Sequence, residues 1–132
     1  MSELFDKLNF KGHSELLVVA APGTFEAELA RLEGVRVLRD PAQARGVRFT
    51  LAFVQKLAEV EALAKPLGAL AEGDVVLWFA YPKQTSRKYA CDFNRDTGWA
   101  SVAAEGFEPV RQVAIDEDWS ALRFRRSAFV KR

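Results

Sequence analysis

The sequence predicts an α/β fold. A three-layer sandwich is expected, with a mostly parallel sheet between helices and a C-terminal antiparallel hairpin. Three observations predict it. Short apolar runs alternate with segments of helical period as far as Ala80, the order expected of successive βα units. The runs at 16–21 and 75–80 are continuously apolar, as strands covered on both faces are. The last two strand patterns are joined by Glu117-Asp118 alone, and so short a link permits only antiparallel pairing.

The elements follow in order. Ser2 caps a short helix that sets Leu4, Phe5 and Leu8 on one face. Lys11-Gly12 turns into the first strand, Leu16 to Ala21, which Pro22-Gly23 breaks. Thr24 offers a cap for a helix with Phe25, Leu29 and Leu32 on one stripe, and Gly34 ends it. Val35 to Leu38 forms a second short strand. Asp40-Pro41 then places a cap before a proline, the start of a brief turn through Arg45. Gly46 opens a third strand, Val47 to Val54, with Phe49, Leu51 and Phe53 alternating against smaller or polar neighbours.

From Gln55 the period becomes helical. Leu57, Val60, Leu63, Ala64 and Leu67 lie on one side, opposite Lys56, Glu59 and Glu61. Pro66 lacks an amide hydrogen and is expected to kink or restart this helix. Glu72-Gly73-Asp74 turns into Val75 to Ala80, the expected central strand. A polar loop leads to a helix beginning near Asp92 or Asn94 and ended by Gly106. Val110 to Asp116 is the next strand. Trp119 to Arg126 alternates, with Leu122 and Phe124 on one face and Arg123 and Arg125 on the other.

The 132 residues fit one α/β domain spanning 1–132, long enough to bury roughly two thirds of its unfolded surface. An apolar fraction of 49% and a charged fraction of 28% describe a folded globular chain, not a disordered one. Nineteen Lys and Arg face 18 Asp and Glu, a net charge of +1. That balance provides no global field for a polyanion and disfavours dedicated nucleic-acid binding. The basic tail of Arg123, Arg125, Arg126, Lys131 and Arg132 reads as solvated strand-face charge, the alternative being a phosphate footprint. Cys91 and His13 stand alone, which excludes an intramolecular disulfide and a Cys/His zinc site. No metal is expected. The N-terminus has no basic-then-apolar signal pattern, and the longest apolar run is Val75 to Tyr81, against the ~20 residues that span a bilayer. A cytoplasmic protein without a membrane partner is expected.

A dense polar block runs from Tyr81 to Arg126. Ligands of open parallel sheets sit beyond the carboxyl ends of the strands, where strand order reverses. The first strand ends in Pro22, Gly23 and Thr24, and the Trp78 strand in Tyr81, Pro82 and Lys83. The Val113 strand ends in Asp116, Glu117, Asp118 and Trp119. If the first and Trp78 strands are neighbours, these groups share one edge. Lys83, near Ser86, Arg87 and Lys88, suits a small anionic ligand such as a phosphate or carboxylate. In the alternative reading, these cations pair with Asp92, Asp96 or Asp118. Asp116 and Asp118 suit a hard cation or acid–base work, or else Asp116 caps the turn and Asp118 pairs with a basic neighbour. Trp99 and Trp119 either stack on a planar ligand or close the core or an oligomer contact. Cys91 has no close companion to activate it, and neither a G-x-S-x-G nor a Walker-type loop is present.

The strand-turn Y-P-K, the helix opening D-F-N-R-D and the ending V-A-I-D-E-D-W-S-A-L-R-F together resemble an uncharacterised family of short bacterial Rossmann-like proteins, a domain of unknown function. The resemblance covers most of the chain and is densest from Gly73 to Arg125; it implies the fold and no catalytic residue. More distantly, A-E-G-D-V-V-L-W-F and the final hairpin resemble class I S-adenosylmethionine-dependent methyltransferases. That likeness implies S-adenosylmethionine as cofactor, held by Gly23 and by Asp40, which falls where the superfamily often carries a ribose-binding acid. The segment A-A-P-G-T-F departs from the superfamily's glycine-rich loop, with Gly23 its only glycine, beside rigid Pro22 and bulky Phe25.

The leading expectation is a binding or interaction protein without cofactor or catalysis, using the edge of Pro22, Lys83, Asp116, Asp118 and Trp119. A divergent S-adenosylmethionine-dependent methyltransferase is the first alternative. The second is a purely structural polar network, in which Lys83 and Asp118 are salt-bridged with no open pocket between them. A homodimer is expected if the tail strand, Leu122 to Phe129, lies at a sheet edge.

Overall fold

The computed structural model describes residues 3–44, 46–71, 73–94 and 97–130. The Ser2 cap, Arg45, Glu72, the pairing expected of Asp96 and the tail cations Lys131 and Arg132 lie outside the described residues.

Six strands form one sheet: β1 (Glu15–Val19), β2 (Arg36–Leu38), β3 (Phe49–Phe53), β4 (Val76–Pro82), β5 (Phe107–Ala114) and β6 (Trp119–Arg126). Their order is β2-β1-β3-β4-β6-β5. The pairs β1–β2, β1–β3 and β3–β4 are parallel, while β4–β6 and β5–β6 are antiparallel. The expected hairpin is therefore present, with β6 bounded as its alternation predicts. Every residue of β3 and β4 is buried, which suits strands with helices on both faces.

This order corrects two expectations. β3 separates β1 from β4, so the first strand and the Trp78 strand are not neighbours. All five β3 residues are buried, and only an interior position satisfies them. The tail strand is not an edge either: β6, with buried Ala121, Leu122 and Phe124, lies between β4 and β5. The polar strand β5, carrying exposed Arg111 and Gln112, takes the edge instead, and β2 takes the other.

On one face, α1 (Glu3–Lys7) and α2 (Gly23–Leu29) bring Phe5, Phe25 and Leu29 into a core with Phe49, Leu51 and Trp78. The Trp78 indole N–H donates to the Leu8 carbonyl at 2.8 Å, so this buried polar atom is satisfied. On the other face, α3 (Leu57–Leu70) and α4 (Ala100–Ala104) set Val60, Leu67 and Val102 against Leu77, Phe79 and Phe124. Trp99 closes that layer, 5.8 Å from the Phe79 ring and 5.1 Å from the Phe124 ring. Such aromatic pairs add about 0.5–1.5 kcal/mol each beyond area burial.

Four local expectations are revised. Thr24 is not a cap: α2 begins at Gly23, after Pro22, whose carbonyl accepts from the Phe25 and Glu26 amides at 2.9 and 3.3 Å. Helix α3 runs through Pro66 as one element, so it does not restart there. Proline frees the carbonyl four residues earlier, and Ala62 and Pro66 are both exposed, so water can replace the lost donor. No helix starts at Asp92 or Asn94; α4 starts at Ala100, and Asp92 caps α3 from across the fold by accepting from the Leu57 amide at 2.6 Å. Finally, the tail arginines are not merely solvated. Arg125 pairs with Asp74 through two hydrogen bonds of 2.8 and 2.6 Å, and Arg126 bonds carbonyls at the ends of α3 and α4. No helix among the described residues is long and apolar enough to cross a membrane.

Candidate functional site

The chain leaves β1 toward β2 and then crosses to β3 on the other side of β1, so strand order reverses there. The crevice beyond the carboxyl ends of β1, β2 and β3 is where such sheets take ligands. β1 leads into Ala20, whose φ of 57° lies in the left-handed region. A Cβ costs roughly 1–2 kcal/mol there, so Ala20 makes with strain a turn that glycine would make freely. A side chain added at Gly23 would meet nothing within 4 Å, which leaves open the space above the start of α2.

Across the crevice, Asp40 follows β2. Its Oδ1 accepts from the Ala42 amide at 2.9 Å, the cap that Asp40-Pro41 predicts, and its other oxygen has no partner among the described residues. Beside it, Arg39 grips Glu26 of α2 through two bonds of 2.6 and 2.8 Å. Those hydrogen bonds hold the Glu26 carboxyl below the usual range and raise the Arg39 guanidinium. The pair is exposed, so it ties α2 to the end of β2 while contributing little to stability.

A cleft of about 920 Å3 lies beyond β4 and under the 83–94 loop. Tyr81, Gln112 and Ser120 of β4, β5 and β6 line its sheet side, and Gln112 Nε2 donates to the Tyr81 hydroxyl at 3.2 Å. Lys83 lines the same cleft. Its backbone amide donates to the Asp118 carbonyl at 2.8 Å, and no ion pair joins the two side chains among the described residues. Asp118 Oδ1 accepts instead from Ser86 Oγ at 2.8 Å. An open cleft beside an unbridged Lys83 is the opposite of what a purely structural network requires.

Lys83, Asp116, Asp118 and Trp119 are thus brought together, whereas Pro22, Gly23 and Thr24 stand on the far side of β3. Asp116 Oδ1 accepts from the Asp118 and Trp119 amides at 2.8 and 2.9 Å, so it caps the hairpin turn. No group of three or more metal-ligating side chains occurs among the described residues. Trp119 is only 2% exposed, wedged against Phe53 at 5.1 Å and Tyr89 at 4.9 Å; it packs in the core, with its indole N–H buried and without a partner among the described residues. Cys91 also lines the cleft, and burial pushes its thiol up, which disfavours the thiolate.

Sequence reasoning missed Gln112 and Ser120. One signal existed: Gln112 is in register with Leu122 and, through it, with Phe79, a polar residue extending a core row.

No family model matches the chain, and no curated protein matches it in sequence. Solved structures do match in fold. An S-adenosylmethionine-dependent methyltransferase from Aquifex aeolicus superposes with a TM-score of 0.66 at 12% identity, over 94% of this chain and 88% of that one. The N-methyltransferase NodS from Bradyrhizobium japonicum, solved with S-adenosyl-L-homocysteine, gives 0.60 at 15% identity, over 94% and 83%. The fold is the one these methyltransferases use. It also serves other chemistry: the [4+2]-cyclase SpnF gives a TM-score of 0.60 at 11% identity, covering 93% of this chain and 78% of that one. The shared fold therefore assigns no reaction.

Proposed function

We propose that the chain is a divergent S-adenosylmethionine-dependent methyltransferase, with its cofactor in the crevice beyond β1 and β2 and its substrate in the cleft beyond β4. The observation that carries the reading is the open turn of Ala20 to Gly23 at the switch point, with the unpartnered oxygen of Asp40 across from it. Bound there, the cofactor supplies an electrophilic methyl group. Asp40 accepts from a ribose hydroxyl through its unpartnered oxygen while the other keeps its cap on Ala42. Gly23 leaves room for the backbone to approach. In the cleft, Lys83 holds an anionic part of the substrate, and the Tyr81–Gln112 pair orients its polar groups. A cytoplasmic location belongs to this reading, since a lone thiol such as Cys91 stays reduced there.

Calorimetry with S-adenosylhomocysteine is the test. Wild type is expected to release heat at a one-to-one ratio. Gly23→Val is expected to abolish it without lowering the melting temperature, because the space it fills is empty in the free protein. Absence of heat from folded wild type refutes the reading.

A second reading, binding without catalysis, is favoured by one observation: Lys83 lines an open cleft and forms no ion pair with Asp118. It expects an anionic ligand whose affinity falls in Lys83→Ala, in a protein that gives no heat with S-adenosylhomocysteine.

A further inference from the structure

The face of β5 and β6 that carries Arg111 and Arg123 presents a different arrangement. The two are Cα partners in the antiparallel register, so their side chains leave the same face directly opposite each other. Like charges in that position repel, and the neighbouring row shows the usual solution: Glu108 stands opposite Arg125. Arg125 has a further carboxylate in Asp74, held through two bonds. Among the described residues, neither Arg111 nor Arg123 has an ion pair or donates a side-chain hydrogen bond.

Arg123 is also drawn into the fold. On its other side it is in register with fully buried Trp78, and its Nε is buried with no acceptor among the described residues. Burial, with the Arg125 and Arg111 guanidiniums close by, lowers the Arg123 pKa against the opposing pull of Asp74. Arginine forks match tetrahedral oxyanions through paired N–H donors, and an unsatisfied guanidinium N–H is costly to leave without an acceptor.

We propose that Arg111 and Arg123 form an oxyanion site on the open face of the hairpin, one that takes a phosphate group. It stands on the cross-strand arginine pair, neither member of which has an ion pair among the described residues, and does not depend on the proposed methyltransferase activity. Free inorganic phosphate and the phosphate monoester of a larger molecule share this chemistry.

The probes are inorganic phosphate and ribose 5-phosphate, each titrated against the full chain in a thermal melt, with sodium chloride matched for ionic strength. Above its dissociation constant, each tenfold rise in phosphate is expected to raise the melting temperature by about 5 °C, relative to chloride. Arg111→Gln is expected to lose that shift, and Lys83→Ala to keep it. A shift with ribose 5-phosphate as well assigns the site to monoesters; a shift with inorganic phosphate alone assigns it to the free ion. No shift beyond chloride in wild type, or an equal shift in Arg111→Gln, overturns the proposal.

Discussion

Arg126 offers the sharpest test of how this fold is held. Its Nε and Nη2 donate to the Ala71 carbonyl at 3.1 and 2.7 Å, Nη2 also reaches the Gly68 carbonyl at 2.9 Å, and Nη1 reaches the Glu105 carbonyl at 3.3 Å. The last carbonyls of a helix have no partner within it, and the negative end of the helix favours a cation. The guanidinium also sits 4.6 Å above the centre of the Phe107 ring. One side chain of the last strand therefore joins the ends of α3 and α4. Arg126→Met keeps most of the apolar stem and removes every donor. A hydrogen bond to a charged group contributes about 1.5–3 kcal/mol, and the cation over the ring about 0.5–1. Water replaces part of this at a half-buried position, which leaves a loss of about 3 kcal/mol. For 132 residues the unfolding entropy is about 280 cal/mol/K, so the melting temperature should fall by about 11 °C. Urea titration should show a lower midpoint at unchanged slope, with Arg126→Lys recovering less than half of the loss. A loss below about 1 kcal/mol would show that water satisfies these carbonyls equally well, and would refute the reasoning.

Three further outcomes are expected. Ala20→Gly should raise stability by about 1 kcal/mol, or about 4 °C, by releasing the left-handed strain; a lower melting temperature would contradict that turn. Asp92→Ala should cost about 1 kcal/mol in a denaturant titration, as loss of a helix cap does, although Asp92 lies 35 residues from the amide it caps. His13 is held below the usual histidine range by burial and then by Arg48, and its Nδ1 accepts from the Lys11 amide at 3.1 Å. A depressed pKa makes its contribution complete above the ordinary value of about 6.5, and it is lost as the pH falls from there through the lowered folded value. Stability should therefore fall between pH 7 and pH 5, and His13→Phe should flatten that slope; an unchanged slope would exclude His13 as its source.

The fold was legible where burial enforces a single pattern. Continuous apolar runs marked β1 and β4, and the two-residue link together with the alternation of Leu122 and Phe124 marked the hairpin. Strand order was harder, because nothing local in Phe49 to Phe53 states that β3 is inserted between β1 and β4. The loop after Lys83 was misread for a related reason. Asp92 has the look of a local cap, but its acceptor serves a helix distant in sequence. Within the site, the convergence of Lys83, Asp116, Asp118 and Trp119 followed from their places at strand ends. The burial of Trp119 and the capping role of Asp116 required the packing of Phe53 and Tyr89 and the closed turn.

The placement of β6 bears on how the chain acquires its shape. β5 touches the sheet only through β6, yet it precedes β6 in the chain. During synthesis from the N-terminus, β1 to β4 can assemble as each emerges, while β5 has no strand to bond until β6 has emerged. Until then the outer side of β4, with Leu77, Phe79 and Tyr81, is a bare, apolar, hydrogen-bonding margin. An interrupted chain that stops before Trp119 is therefore a sticky species, open to capture by a chaperone or by another copy of itself. The turn capped by Asp116 is the device that shortens this interval, because it folds β6 back as soon as that strand exists.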